Sequence, residues 1–186
     1  MEDSGIIELY LGRDESAIAQ TQQKYGKQCY KIAYNILGNR EDCEECVNDM
    51  LIKVWNRIPP DMPHNLFSYI AKMTRNLSLN RYSEKKAAKR GGGQTEAALS
   101  ELEECIPSGK SVEDECDDNE LRDALNGFLG SLCTEKRTVF MQRYWYLMPI
   151  SEIAQKHGCE SGRIKMMLSR IRKELKLYLE KEGITL

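Results

Sequence analysis

The stretch RYWYLMPISEIAQKHGCESGRIKMMLSRIRKEL, residues 143–175, decides the fold. Pro149 has no N–H and a fixed φ, so it suits the start of a helix and not its middle. A short helix is therefore predicted over 150–157. Gly158-Cys159 predicts a tight turn. A long helix is then predicted from 161–162 to 179, with Ile164, Leu168, Ile171 and Leu175 recurring at helical spacing. Those four, with Ile153 and Ala154 of the short helix, form the expected buried side. Arg163, Lys165, Met166, Ser169, Arg170, Lys173 and Lys176 are left on the exposed side. A helix, a glycine turn and a second helix rich in Arg and Lys make a helix-turn-helix pattern.

Working outward, residues 121–132 and 135–146 read as two further helices. The N-terminal half reads as helices too. Residues 15–37 carry Ile18, Tyr25, Cys29, Ile32 and Ile36 on one face, and Gly38-Asn39 ends them with turn chemistry. Residues 41–58 carry Val47, Met50, Leu51, Val54 and Ile58 on one face. Their first turns hold Glu41, Asp42, Glu44 and Glu45, suited to the positive end of the helix dipole. The prolines at 59, 60 and 63 force a loop. Residues 66–82 then resume with Leu66, Ile70, Met73 and Leu77 as the apolar stripe. The expected class is all-α: two small helical domains, 1–88 and 120–186, joined by a flexible acidic tether at 89–119. That tether holds Gly91-Gly92-Gly93, Pro107 and the run of acids at 113–118. A short helix at 96–104 fits inside it.

Charge is laid out along the chain in blocks. The net charge is only −2, yet residues 72–90 carry seven Lys/Arg against one acid, a local +6. Residues 135–176 carry ten against four, again +6. Between them, residues 91–120 carry ten acids against Lys110, a local −9. Two basic blocks flanking an acidic spacer fit two modules that touch one polyanion.

The apolar run at 144–150 is the longest and is far too short to span a bilayer. The start, Met1-Glu2-Asp3-Ser4, is acidic and lacks the apolar segment of a signal peptide, so a cytoplasmic protein is expected. Seven cysteines, an odd number scattered through helical segments, fit reduced thiols better than a disulfide framework. Cys43 and Cys46 have the spacing of a metal half-site. A second pair is missing, the only histidines are His64 and His157, and Cys46 falls on the apolar stripe. No nucleophile–base pair or phosphate loop appears. Neither an enzyme activity nor a cofactor is expected.

Longer strings resemble one family. "KYGKQCYKIAYNILGNREDCEECVNDMLIKVWNRI" (24–58), "LFSYIAKMTRNLSLNR" (66–81), "LRDALNGFLGSL" (121–132) and the opening stretch are similar, in this order, to the extracytoplasmic-function sigma factors of bacterial RNA polymerase. The resemblance implies a sigma-2 domain, a linker and a sigma-4 domain. It implies binding to core polymerase at the β′ clamp through Asp42, Glu45, Asn48, Asp49, Lys53 and Trp55, and at the β flap. It implies reading of a melted −10 element by Pro63, His64, Arg75, Asn76, Asn80 and Arg81. It assigns the −35 duplex to Arg163, Lys165, Met166, Ser169, Arg170 and Lys173, with Arg172 turned to phosphates or solvent. An anti-sigma factor is a further partner the resemblance leaves room for; a membrane is not.

The chemistry of these residue types agrees with that assignment. Cations suit backbone phosphates, amides suit base edges, and Arg or Lys can donate to guanine. Asn76 and Asn80 stand four apart, on one helical face. The sequence departs from the family's pattern at Cys133, where a proline is usual, and at Pro149, where a Ser or Thr cap is usual. It departs again at Glu160, with Ser161 as a substitute cap, and at Met166-Met167, where the family is more polar. The acidic tether reads either as a solvated spacer or, by resemblance, as a mimic of nucleic acid near the RNA exit path. A stand-alone helix-turn-helix regulator with an N-terminal interaction domain is the alternative reading of the same residues, and a thiol or zinc sensor built on Cys43 and Cys46 is a third.

Overall fold

Glycine and proline punctuate this chain where the helices stop. The computed structural model describes residues 2–88, 94–103 and 115–184, and the chain divides into two units, Met1–Gly91 and Gly92–Leu186. Among the described residues the regular elements are all helical.

The first unit holds α1 (Asp3–Leu11), α2 (Ser16–Leu37), α3 (Arg40–Arg57) and α4 (Leu66–Ala88). Gly38 ends α2 in the left-handed region, at φ 66°, where a Cβ would be strained. One residue later Asn39 caps α3 by accepting from the Glu41 amide at 2.9 Å. The apolar faces of the four helices meet in one core of Ile6, Tyr10, Cys29, Val47, Met50, Val54, Ile58, Leu66 and Ile70. Burying a Val, Leu or Ile side chain contributes ~1.5–3 kcal/mol, so this core outweighs any single polar pair in the unit. The expected helices of this half are all present. The helix α1 was not expected: its short apolar set, Ile6 and Tyr10, completes the core from the far side. Tyr10 keeps its buried hydroxyl satisfied on Thr21 Oγ1 at 2.8 Å.

The second unit holds α5 (Gln94–Glu103), α6 (Glu115–Ser131), α7 (Thr134–Phe140), α8 (Ile150–Lys156) and α9 (Ser161–Lys181). Residues 94–103, expected within the tether, form α5, and α6 starts six residues earlier than the periodicity suggests. The rest of the tether, 89–93 and 104–114, lies outside the described residues, as do Lys89 and Arg90 of the first basic block. The helix expected over 135–146 is divided: α7 passes at Phe140 into a π-helical turn, Met141–Trp145. That wider turn swings Arg143 and Tyr144 into the interior. The chain then takes Leu147 through φ 51°, with its side chain 1% exposed, before Pro149 opens α8. Phe128, Val139, Phe140, Ile153, Ile164, Leu168, Ile171 and Leu175 fill the core. No described helix is long and apolar enough to cross a membrane.

Candidate nucleic-acid interface

The helix α9 sorts its residues as its spacing predicts. Ile164, Leu168, Ile171, Leu175 and Leu179 are buried. Arg163, Lys165, Met166, Arg170 and Lys173 face solvent, and Ser169 is half-buried among them. Glu160 takes the N-cap position without a side-chain hydrogen bond, and Ser161 is the first helical residue rather than a substitute cap. Two clefts flank the exposed face. One, of about 310 Å³, is lined by Arg143, Ile150, Ser151, Ser161 and Lys165. The other, of about 230 Å³, is lined by Lys136, Arg163, Met166, Met167 and Arg170. Arg163 Nη2 reaches Glu135 of α7 at 3.4 Å, and Lys136 Nζ reaches Glu174 at 2.7 Å. Such exposed pairs hold little energy and yield readily to a phosphate or a base edge. The surface is cationic, with Met166 as an apolar element 59% exposed at its centre.

Arg172 behaves differently. It faces inward, where Nη1 donates to Glu101 Oε2 at 3.1 Å and to the Tyr144 hydroxyl at 2.8 Å. Arg143 Nη2 donates to the other oxygen of Glu101 at 2.7 Å. Burial alone would raise the Glu101 pKa, but the hydrogen bond and charge of Arg143, with Tyr144 and Arg172, more than reverse it and hold it below the usual 4.5. Burial pushes the Tyr144 hydroxyl far up, so it stays a donor.

In the first unit, α4 presents Asn76 and Asn80 to solvent, on one face as their spacing requires. His64 is exposed and Pro63 half-buried in the loop that precedes α4. Arg75 is half-buried, and desolvation lowers its pKa. Phe67 packs on Tyr25 with ring centroids 5.3 Å apart, and the Tyr69 hydroxyl donates to Asp61 at 2.5 Å. Both aromatic rings of this helix start are thereby engaged inside the unit.

Arg81, expected at the −10 element, is instead drawn to the residues expected at the polymerase. It donates to Glu45 at 2.7 Å and to Asp49 at 2.9 Å, and Lys85 pairs with Asp42. Asn48 and Lys53 stay exposed on α3. Trp55 is half-buried beneath Arg13, whose guanidinium sits 5.3 Å from the ring centroid and donates to the Trp55 carbonyl at 2.6 Å. Cys43 and Cys46 are fully buried; Cys46 Sγ lies 3.2 Å from Ser78 Oγ, and burial pushes Cys43 up to about 11.

Sequence reasoning missed Arg13 and Glu101. Glu101 did leave a signal. Thr95 and Ala98 are buried and Leu99 and Leu102 half-buried, and they recur at 95, 98, 99 and 102, the spacing of a helix face that packs.

Residues 22–88 match the family model of Sigma-70 region 2, and residues 122–175 match that of Sigma-70 region 4. The chain is 23% identical over 185 residues to the ECF RNA polymerase sigma factor SigE of Mycolicibacterium smegmatis, covering 98% of this chain and 70% of that one. It is 23% identical over 172 residues to the ECF RNA polymerase sigma factor SigW of Bacillus subtilis, covering 89% and 90%. The chain belongs to the sigma-70 family, in its extracytoplasmic-function group. In this sigma factor region 2 covers α2 from residue 22 onward, α3 and α4, with α1 ahead of the match, and α6–α9 carry region 4. The helix α5 falls in neither match, though its Glu101 is bonded into the second unit.

Proposed function

We propose that this sigma factor recruits core RNA polymerase to promoters with two separate elements and contributes to strand opening without catalysing a reaction. The exposed face of α9 reads the −35 duplex in the major groove through Arg163, Lys165, Met166, Ser169 and Arg170, with Lys173 near the backbone. The exposed amides of Asn76 and Asn80, with His64, Arg75 and the loop before α4, take bases of the melted −10 strand. The face of α3 around Asn48, Lys53 and the carboxylates meets the β′ clamp, where charge contributes mostly orientation and on-rate. The observation that carries the reading is the division of α9 into a fully buried stripe and a cationic exposed face. Arg81 is reassigned: engaged by Glu45 and Asp49, it braces α4 on α3.

The deciding experiment is run-off transcription with purified core polymerase on a pool of random promoters. Enrichment of templates sharing two spaced elements is the expected result. Transcription no greater than with core enzyme alone sinks the proposal.

A further inference from the structure

We infer that Glu101, outside both recognised regions, is a positioning residue of the −35 reader. The inference rests on the reading of α9 as the duplex-reading helix.

Glu101 accepts from three donors on two other elements: Arg143 and Tyr144 of the π-helical turn, and Arg172 of α9. Arg143 is 3% exposed and therefore needs a counter-charge in place. It also donates through Nη1 to the Met148 carbonyl at 3.3 Å, just before α8. The same Arg143 lines the cleft beside Ser151 of α8 and Ser161 and Lys165 of α9. One carboxylate thus fixes a guanidinium that is bonded to the chain just before α8 and lines the cleft shared by the starts of both helices, and it holds α9 directly at Arg172. A carboxylate bonded by several cations at once also resists rearrangement, because each pair polarises and orients the next.

The sign of the effect separates positioning from simple charge. DNA is a polyanion, so removing a negative charge anywhere on the protein should tighten binding slightly. If Glu101 positions the reader, neutralising it should weaken specific binding. Glu101→Gln keeps the shape and loses the charge. Glu103→Gln, on the exposed side of the same helix, makes the identical change of net charge.

The test uses the full chain and two labelled duplexes of equal length, one carrying the −35 element selected above and one scrambled. Fluorescence anisotropy reads both at several salt concentrations. Glu101→Gln is expected to weaken the −35 duplex roughly tenfold, about the worth of one good base contact, and to leave the scrambled duplex unchanged or slightly tighter. Glu103→Gln should leave both unchanged or slightly tighter. Glu101→Asp, which restores the charge on a shorter stem, should recover part of the loss. Binding of the −35 duplex by Glu101→Gln at or above the parental affinity overturns the inference. Should that variant melt below the assay temperature, Tyr144→Phe takes its place; it deletes only the hydroxyl, which donates to Glu101 and accepts from Arg172, and unchanged −35 affinity there overturns the inference equally. If the parent chain itself does not prefer the −35 duplex, the reading of α9 fails first and takes this inference with it.

Discussion

Arg81 Nη1 lies 2.7 Å from Glu45 Oε2, and the guanidinium bridges on to Asp49 at 2.9 Å. The helix expected to read melted DNA is thereby fastened to the helix expected to meet the polymerase. A displacement of one is felt by the other, which suits the two tasks proposed for this unit.

Arg81→Ala is expected to lower the melting temperature of the chain by on the order of a few degrees, since the carboxylates it pairs with are largely exposed. The hydrogen bond from Arg81 holds the Glu45 carboxyl below its usual 4.5. A depressed carboxyl contributes stability above its unfolded pKa and loses it as pH falls through the folded value. The difference between Arg81→Ala and the parent should therefore be full at neutral pH and shrink below about pH 4. Thermal melts from pH 3 to pH 8 read this directly; a difference that grows in acid contradicts the pairing.

Asn80→Ala should impair promoter opening more than initial binding. The amide is exposed on α4, and in the proposed role it reaches a base only after strands separate. Permanganate footprinting of the holoenzyme on a selected promoter is the measurement, with filter binding as the reference. Equal opening by variant and parent removes Asn80 from the −10 site.

Lys165→Ala and Arg170→Ala should each weaken the −35 duplex by ~1–3 kcal/mol while leaving affinity for core polymerase unchanged. Where either residue touches a phosphate, the slope of log affinity against log salt should fall by about one. A parallel loss of polymerase binding would mean the substitutions act through folding.

Thiol labelling of the native chain should divide the described cysteines. Cys133 is exposed and Cys159 half-buried, whereas Cys29, Cys43 and Cys46 are buried. Burial, chiefly, pushes Cys29 and Cys43 up to about 11, so neither is a thiolate at pH 8. Iodoacetamide at pH 8 should modify Cys133 fastest and spare the buried three until denaturant is added. Rapid labelling of Cys43 or Cys46 would revive the sensor reading.

What was legible in the sequence is what periodicity and punctuation encode. The buried stripe of α9, the stop at Gly38-Asn39, the proline loop and the restart at Pro149 all follow from local rules. What was not legible depends on pairings across distance. Arg81 and Glu45 stand 36 residues apart, and Arg172 and Glu101 stand 71 apart. A basic residue in a basic block looks free for DNA until the fold brings a carboxylate to it. Trp55 was assigned to the polymerase by resemblance, and the Arg13 that lies over its ring was not legible because α1, which leads to it, carries only a few apolar residues near the start of the chain. The acids of α5 were averaged into a −9 segment, which hid the pairing of Glu101.

Leu147 enters a left-handed backbone, at φ 51°, in the turn that leads to α8, and its side chain is almost entirely enclosed. The conformation costs a non-glycine residue ~1–2 kcal/mol, and enclosing the side chain returns ~1.5–3 kcal/mol. The turn is therefore clamped by its surroundings against its own torsional preference, with the Met148 amide bonded to the Gln142 carbonyl at 2.9 Å as its visible fastening. Loosen the surroundings and the torsion relaxes before the helices melt, so amide exchange at Met148 should report a local opening cheaper than global unfolding. Grip on the duplex would then fade with warming while helical content still looked intact.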